Sequence, residues 1–209
     1  MRLTHLAWIA LGALALVLGA TFALTQDPVR TALGLSSDPC AQGAVGGAIG
    51  GPFTLVNGAG ETVTEAEVID QPALVYFGYT FCPDVCPFDM SRNAEAVDLL
   101  DGMGLEVTPV FISVDPARDT PEIAGEFAQA HHERAVGLSG TPEQVKAAAD
   151  AYRVFYRAQG PEEEGDDLYL VDHTVFTYLM HPERGFLDFF GRDVTPEQMA
   201  ERTACFLRG

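Results

Sequence analysis

The residues of this 209-residue chain best suited to chemistry are four cysteines and five histidines. Two of the cysteines, Cys82 and Cys86, share the segment Phe77-Gly78-Tyr79-Thr80-Phe81-Cys82-Pro83-Asp84-Val85-Cys86-Pro87. Proline is accepted in the first turn of a helix but not later, so Pro87 predicts a helix start close by, with Cys86 at its N-terminal boundary. A thiolate there faces unpaired backbone N–H groups and the positive end of the helix dipole, which lowers its pKa and suits it to be nucleophile or ligand. Cys82 is four residues back, across a connection stiffened by Pro83 and Pro87. Only the loop's own conformation can bring the two sulfurs together.

Such a pair admits three chemistries: a structural disulfide, a redox couple or a thiolate metal site. A short strand-to-helix loop gains little from a stabilising crosslink, because closing a short loop removes little chain entropy. Disulfide-exchange motifs usually leave two residues between the cysteines; here there are three. A wider pair still forms a disulfide, and it also suits two soft sulfur ligands spread around one ion.

The elements that must hold this loop follow from periodicity. Leu74 to Tyr79 is a continuous apolar and aromatic run, as expected of a strand buried on both faces, so the cysteines lie at the carboxyl end of a strand. A helix is predicted from Pro87 to about Leu100, and Val107 to Val114 is a second buried strand, ended by Asp115-Pro116. Thr120-Pro121 opens another helix, ending near His131 and His132, with a short strand around Val136 to Leu138. Phe53 to Val56 and Glu61 to Val63 read as a hairpin around Asn57-Gly58. Thr141-Pro142-Glu143-Gln144 and Thr195-Pro196-Glu197-Gln198 each place an N-cap threonine before a first-turn proline, with glutamine completing a capping box. The first of these helices carries Val145, Ala148, Ala149, Tyr152 and Tyr156 as a core-facing stripe. Leu168 to Val171, Val175 to Met180 and Phe186 to Phe190 are predicted strands, the last two joined by a short turn. The pattern is α/β, a mixed sheet with helices on both faces.

The ends and the charge bound the setting. Leu6 to Leu24 is uncharged and, at 19 residues, close to the ~20 that span a bilayer. It reads as one transmembrane helix in a head and anchor of residues 1–24; a cleaved signal is the competing reading, for which Thr21 and Ala23 make an imperfect cleavage site. Residues 25–51, rich in Gly, Ala, Ser and Pro, read as a flexible tether, and 52–209 as the domain. The short head favours a domain exported to the periplasm from a bacterial inner membrane. The formal net charge is −18, and Lys146 is the only lysine. A surface that acidic repels phosphate backbones, which excludes nucleic acid as a partner and leaves the N-terminal helix as the membrane contact. The acidic run Glu162 to Asp167 reads as a solvated loop.

Tyr79-Thr80-Phe81-Cys82-Pro83-Asp84-Val85-Cys86-Pro87 resembles the signature of the Sco/SenC proteins, copper-binding assembly factors of cytochrome c oxidase with a thioredoxin-like fold. Ile112-Ser113-Val114-Asp115-Pro116-Ala117-Arg118-Asp119-Thr120-Pro121 and Val171-Asp172-His173-Thr174 with Tyr178-Leu179 extend the likeness over roughly Gly51 to Leu207. The resemblance implies Cys82, Cys86 and His173 as copper ligands. The chemistry is coherent, since copper(I) favours soft thiolates, accepts imidazole and needs few ligands. Asp84 and Asp172 are candidates to orient the imidazole or tune the sulfurs, or else cap loops. His131 and His132, at a helix C-terminus, suit structural roles, while His181 is far along a strand and solvated. Cys40 and Cys205 depart from the minimal family pattern; in an oxidising compartment they could pair and pin the tether to the domain.

Two functions remain open on this reading. The first is a membrane-anchored metallochaperone that passes copper(I) or copper(II) to the dinuclear copper site of cytochrome c oxidase subunit II, loaded by a periplasmic copper donor. The alternative is a thiol-disulfide oxidoreductase acting on cysteines of the oxidase or other exported targets, with Cys82 or Cys86 as the attacking thiolate and a periplasmic reductant as supplier. A thiol peroxidase is disfavoured, because neither flank of the pair supplies an arginine.

Overall fold

The computed structural model describes Cys40, residues 49–160 and residues 169–208. The anchor, most of the tether and the acidic run Glu162 to Asp167 lie outside these residues. Among the described residues no helix is long and apolar enough to cross a membrane.

Seven strands form one mixed sheet in the order β2-β1-β5-β4-β3-β8-β9. They are β1 (Thr54–Asn57), β2 (Thr62–Thr64), β3 (Ala73–Gly78), β4 (Thr108–Ser113), β5 (Val136–Ser139), β8 (Thr177–His181) and β9 (Gly185–Phe190). β3, β4 and β5 are parallel, and the hairpins at both edges are antiparallel. Each of the six residues of β3 and of β4 is buried, as their unbroken apolar runs require of strands covered on both faces.

The helices are α1 (Glu65–Val68), α2 (Val85–Gly102), α3 (Pro121–His131), α4 (Pro142–Ala151) and α5 (Pro196–Arg208). Alternation along β3 assigns the layers. Leu74 packs with Ala96, Val97 and Leu100 of α2 and Met199 and Ala200 of α5 on one face. Phe77 meets Tyr152, the C-cap residue of α4, on the other, with ring centroids 5.2 Å apart. The result is a thioredoxin-like α/β fold.

Local chemistry accounts for the helix starts. Thr141 accepts the Gln144 N–H at 3.3 Å while the Gln144 side chain accepts the Thr141 N–H at 2.8 Å; Thr195 and Gln198 repeat the arrangement at 3.3 and 3.1 Å. Each box satisfies two backbone donors that the first turn leaves without partners.

Three expectations need correction. Tyr156 is not on the stripe of α4: the helix ends at Ala151, Arg153 takes a left-handed φ of 58°, and the Val154 N–H closes back on the Ala149 carbonyl at 2.8 Å. The chain then leaves extended, so Tyr156 opens β6 (Tyr156–Ala158). The strand predicted up to Val171 instead begins there, as β7 (Val171–His173), and pairs with β6 in a separate two-stranded sheet. Helix α2 begins at Val85, two residues before Pro87, which still keeps the proline within the first turn.

Candidate metal centre

β3 delivers the chain to Gly78, at the carboxyl edge of the sheet. A Cβ at that position would come within 2.7 Å of the Tyr76 ring and 3.0 Å of Cys86 Sγ, so a side chain there would displace the cysteine. The loop that follows is fastened by Asp119. Its carboxylate accepts the Thr80 N–H at 2.9 Å, the Thr80 hydroxyl at 2.5 Å and the Ser113 hydroxyl at 2.6 Å. Burial pushes the Asp119 carboxyl above its usual range, and these donors pull it back. Beside it, Arg118 pairs with Asp115 at 2.6 Å and lies over the rings of Tyr169 and Phe81, at 3.6 and 4.8 Å. The arginine absent from the flanks of the cysteines is thus brought to the loop by the fold.

Cys86 is the second residue of α2 and is fully buried, and Cys82 is 7 % exposed. Both are free thiols. The Cys86 N–H points back at Cys82 Sγ over 3.3 Å. Hydrogen bonding from the Cys86 thiol, together with the N–H groups of Asp84, Cys86 and Val85, lowers the Cys82 pKa to about 4 against the opposing effect of burial. Cys86 is pushed up, because it holds the proton the pair shares and because it is buried. The sequence assigned the helix-terminus effect to Cys86. The structure gives it to Cys82, since the free N–H groups of the first turn face backwards along the chain.

His173 comes to this pair from the β6–β7 ribbon. Its Nε2 is 3.4 Å from Cys86 Sγ, and its Nδ1 is 3.0 Å from the Thr174 carbonyl. An Nδ1–H donated to that carbonyl leaves Nε2 with its lone pair toward Cys86 Sγ, the tautomer a metal ligand needs. Tyr76 and Tyr79 stand edge-on to the imidazole, at 6.2 and 5.8 Å between centroids, and fix the plane of the ring. His173 Nε2 thus meets Cys86 Sγ and Cys82 Sγ meets the Cys86 N–H, although the three ligand atoms do not all lie within 4.8 Å of one another; two sulfurs and one nitrogen are a donor set that suits copper.

The remaining sequence candidates sit elsewhere. The Asp172 carboxylate is exposed and takes Arg157 at 3.2 Å and Gln159 at 2.8 Å across the ribbon; the bond from Arg157 holds it below the usual carboxylate range. Asp84 is the exposed residue before α2. Its side chain makes no cap bond, and its backbone N–H is what serves Cys82. Cys40 and Cys205 are joined in a disulfide with Cα atoms 5.6 Å apart. That bond lies toward the C-terminal end of α5, where Arg208 reaches the Met103 carbonyl at 3.3 Å beyond the end of α2. The cysteine loop is at the opposite end of α2.

The other histidines among the described residues serve the fold. His131 Nδ1 meets the Phe127 carbonyl at 2.8 Å, one turn back in α3. His132 Nδ1 accepts the Arg134 N–H at 3.1 Å. His181 Nδ1 accepts the N–H groups of Glu183 and Arg184 at 3.2 and 3.3 Å, capping the β8–β9 turn, and burial with the Arg184 charge lowers its pKa. Sequence reasoning missed Tyr76, Gly78, Arg118 and Asp119 as parts of the site. For Asp119 the available signal was an aspartate just before the N-cap threonine of α3; for Tyr76 there was none, since it reads as one more core aromatic in a buried strand.

Comparison with known proteins places the chain in a family. Protein SenC of Rhodobacter capsulatus is 50% identical over 198 residues, covering 95% of this chain and 88% of that protein. The mitochondrial SCO1 homolog 1 of Arabidopsis thaliana is 41% identical over 169 residues, covering 80% of this chain and 49% of that protein, so the chain spans about half of that longer relative. The crystal structure of Arabidopsis thaliana ScoI with copper bound superposes with a TM-score of 0.71 at 40% identity, covering 78% of this chain and 100% of that one. Residues 41–208 match the SCO1/SenC family model, and this chain belongs to the SCO1/SenC family.

Proposed function

We propose that this chain is a copper metallochaperone that binds one copper ion through Cys82, Cys86 and His173 and passes it to the dinuclear copper site of cytochrome c oxidase subunit II. The observation that carries the reading is the approach of His173 Nε2 to within 3.4 Å of Cys86 Sγ, with Cys82 Sγ 3.3 Å from the Cys86 N–H. The copper bound by the similar Arabidopsis structure supports the choice of metal. Membership of the family supports the link to oxidase assembly. The uncharged stretch Leu6 to Leu24 and the small-residue segment after it support a single-pass anchor (1–24), a tether (25–51) and a domain (52–209) in the periplasm, where a copper donor would load the site.

The arrangement suits release as well as capture. Three ligands leave the ion with a low coordination number, and Cys82, the less buried sulfur, marks the side from which an incoming thiolate would attack before the donor lets go. Metal binding requires both sulfurs deprotonated, so copper displaces the proton that Cys86 holds. An oxidised Cys82–Cys86 pair cannot ligate, which makes the reduced form the one that loads.

One observation favours a second activity. Cys82 is the sulfur whose pKa is lowered and the more accessible of the pair, the character expected of an attacking thiolate, with Cys86 as the resolving partner. This is the thiol-disulfide oxidoreductase reading, with Cys82 in the leading role.

Titrating the reduced full-length protein in detergent with copper tests both. The chaperone reading expects about one tight copper per chain, lost in Cys82→Ala and spectroscopically altered in His173→Ala. If His173→Ala binds copper(II) as the wild type does, while disulfide turnover needs both cysteines, the reductase reading replaces it.

A further inference from the structure

The Tyr76 side chain is fully buried, yet its hydroxyl makes no hydrogen bond of normal geometry. A buried hydroxyl without a partner forfeits the hydrogen bond it would make to water, so its position calls for an account. The hydroxyl lies beside the Cys86 sulfur and the Asp89 carboxylate. The same ring stands edge-on to His173 at 6.2 Å and crowds the space over Gly78 together with Cys86 Sγ. The Arg92 and Arg192 guanidiniums are each 3.6 Å from Asp89 Oδ1, but neither Asp89 oxygen has a hydrogen-bond partner, so this carboxylate competes with Cys86 for the hydroxyl.

We propose that Tyr76 is a positioning residue of the copper centre, donating its hydroxyl to the Cys86 thiolate once the metal is bound and biasing the site toward copper(I). The inference rests on the copper reading of Cys82, Cys86 and His173. The unpartnered hydroxyl, on a ring that shares the space over Gly78 with Cys86 Sγ, is placed to donate to that sulfur once it is a metal-bound thiolate. On metal binding Cys86 releases its proton to solvent and its sulfur becomes an anionic acceptor; Tyr76 keeps its own proton and forms a charge-assisted O–H···S contact. The sulfur carries more electron density opposite copper(I) than copper(II). The bond is therefore stronger in the reduced state, and hydrogen bonding at a ligating sulfur is a recognised determinant of copper potentials.

Tyr152 supplies the control. It too is fully buried with an unpartnered hydroxyl, but its ring packs on Phe53, Phe77 and Tyr178 across the other face of the sheet. Tyr76→Phe and Tyr152→Phe each remove one oxygen and keep the ring. The experiment loads wild-type protein and both variants with copper(II), records the sulfur-to-copper charge-transfer band, and follows the midpoint potential and the copper(I) affinity by competition with a chelator. Tyr76→Phe is expected to bind one copper with copper(I) affinity about tenfold weaker, a lower midpoint potential and a band at lower energy, while Tyr152→Phe matches wild type. An unchanged band and potential in Tyr76→Phe, or equal shifts in both variants, would overturn the role of Tyr76. Failure of the wild type to bind copper would instead overturn the reading beneath it.

Discussion

Nε2 of His173 lies 3.4 Å from Sγ of Cys86 although 87 residues separate them. The contact joins a strand of the small β6–β7 sheet to the first turn of a helix packed on the main sheet, so it exists only in the folded domain. Its chemical consequence depends on the oxidation state of the ion. Copper(I) is satisfied by two thiolates; copper(II) calls on nitrogen and oxygen to fill a larger coordination shell. His173→Ala should therefore keep a copper(I) stoichiometry of about one while its copper(II) affinity falls by more than the ~10–100-fold typical of losing a partner one shell further out. Parallel competition titrations in the two oxidation states check this, and a copper(II) affinity equal to that of the wild type would remove His173 from the ligand set.

The proton shared by the cysteines gives a second expectation. With the Cys82 pKa lowered to about 4 and Cys86 raised, the reduced, metal-free protein carries one thiolate per chain at neutral pH. Thiolate absorption in the ultraviolet should disappear as pH falls through about 4, and Cys82→Ser should abolish it at neutral pH. The same shift has a sign for stability. A folded pKa below the unfolded one contributes stability that is fully present above the unfolded value of 9.0 and lost as pH falls toward 4. Denaturant titrations should thus find the difference between wild type and Cys82→Ser shrinking from pH 8 to pH 4. A difference that is constant over that window would place the thiolate elsewhere.

Asp119 is the clamp that sets where Cys82 can be. Asp119→Ala leaves the Thr80 amide, the Thr80 hydroxyl and the Ser113 hydroxyl without their acceptor, and at roughly 1 kcal/mol or more for each buried donor the domain should lose about 3 kcal/mol. Asp119→Asn keeps an acceptor and should lose less. Because burial raises the Asp119 carboxyl, its contribution is present below the unfolded pKa of 3.8 and is lost as pH rises through the folded value. The asparagine variant should accordingly gain on wild type between pH 4 and pH 7. Thermal melts of the three proteins across that range, with copper titration of each, separate loss of fold from loss of the loop geometry.

These residues mark how far the sequence carries. β3, β4 and the capped helices α4 and α5 follow from local rules, because unbroken apolar runs and Thr-Pro-Glu-Gln starts encode them within a few residues. The ribbon was hidden because β6 and β7 are three residues each and because Tyr156 falls at a helical spacing from Tyr152 by coincidence. The cysteines were legible as a pair but not in their roles: which sulfur ionises depends on where the N–H groups of α2 point, a matter of loop conformation. Asp172 illustrates the converse. Adjacency in sequence made it a partner for the imidazole, whereas strand alternation turns its carboxylate outward to Arg157, its cross-strand neighbour in the ribbon.

The Cys40–Cys205 bond supports the fold at a distance from the chemistry. It closes a loop across 165 residues, and a crosslink of that span removes entropy from the unfolded chain worth up to about 5 kcal/mol, with about 2–4 kcal/mol the usual yield. Cys40 also packs against the apolar cluster to which Met199, Ala200, Ala204 and Phe206 of α5 belong. α2 separates this end from the cysteine loop by some 18 residues, about 27 Å at the helical rise. Paired Cys40→Ser and Cys205→Ser substitutions should then lower the denaturation midpoint while leaving copper stoichiometry and the charge-transfer band unchanged. Peptide mapping without reductant should recover the two segments linked in the wild type. Two free thiols at these positions, or a copper site altered along with stability, would show that the clasp is absent or that the two ends of the domain are coupled.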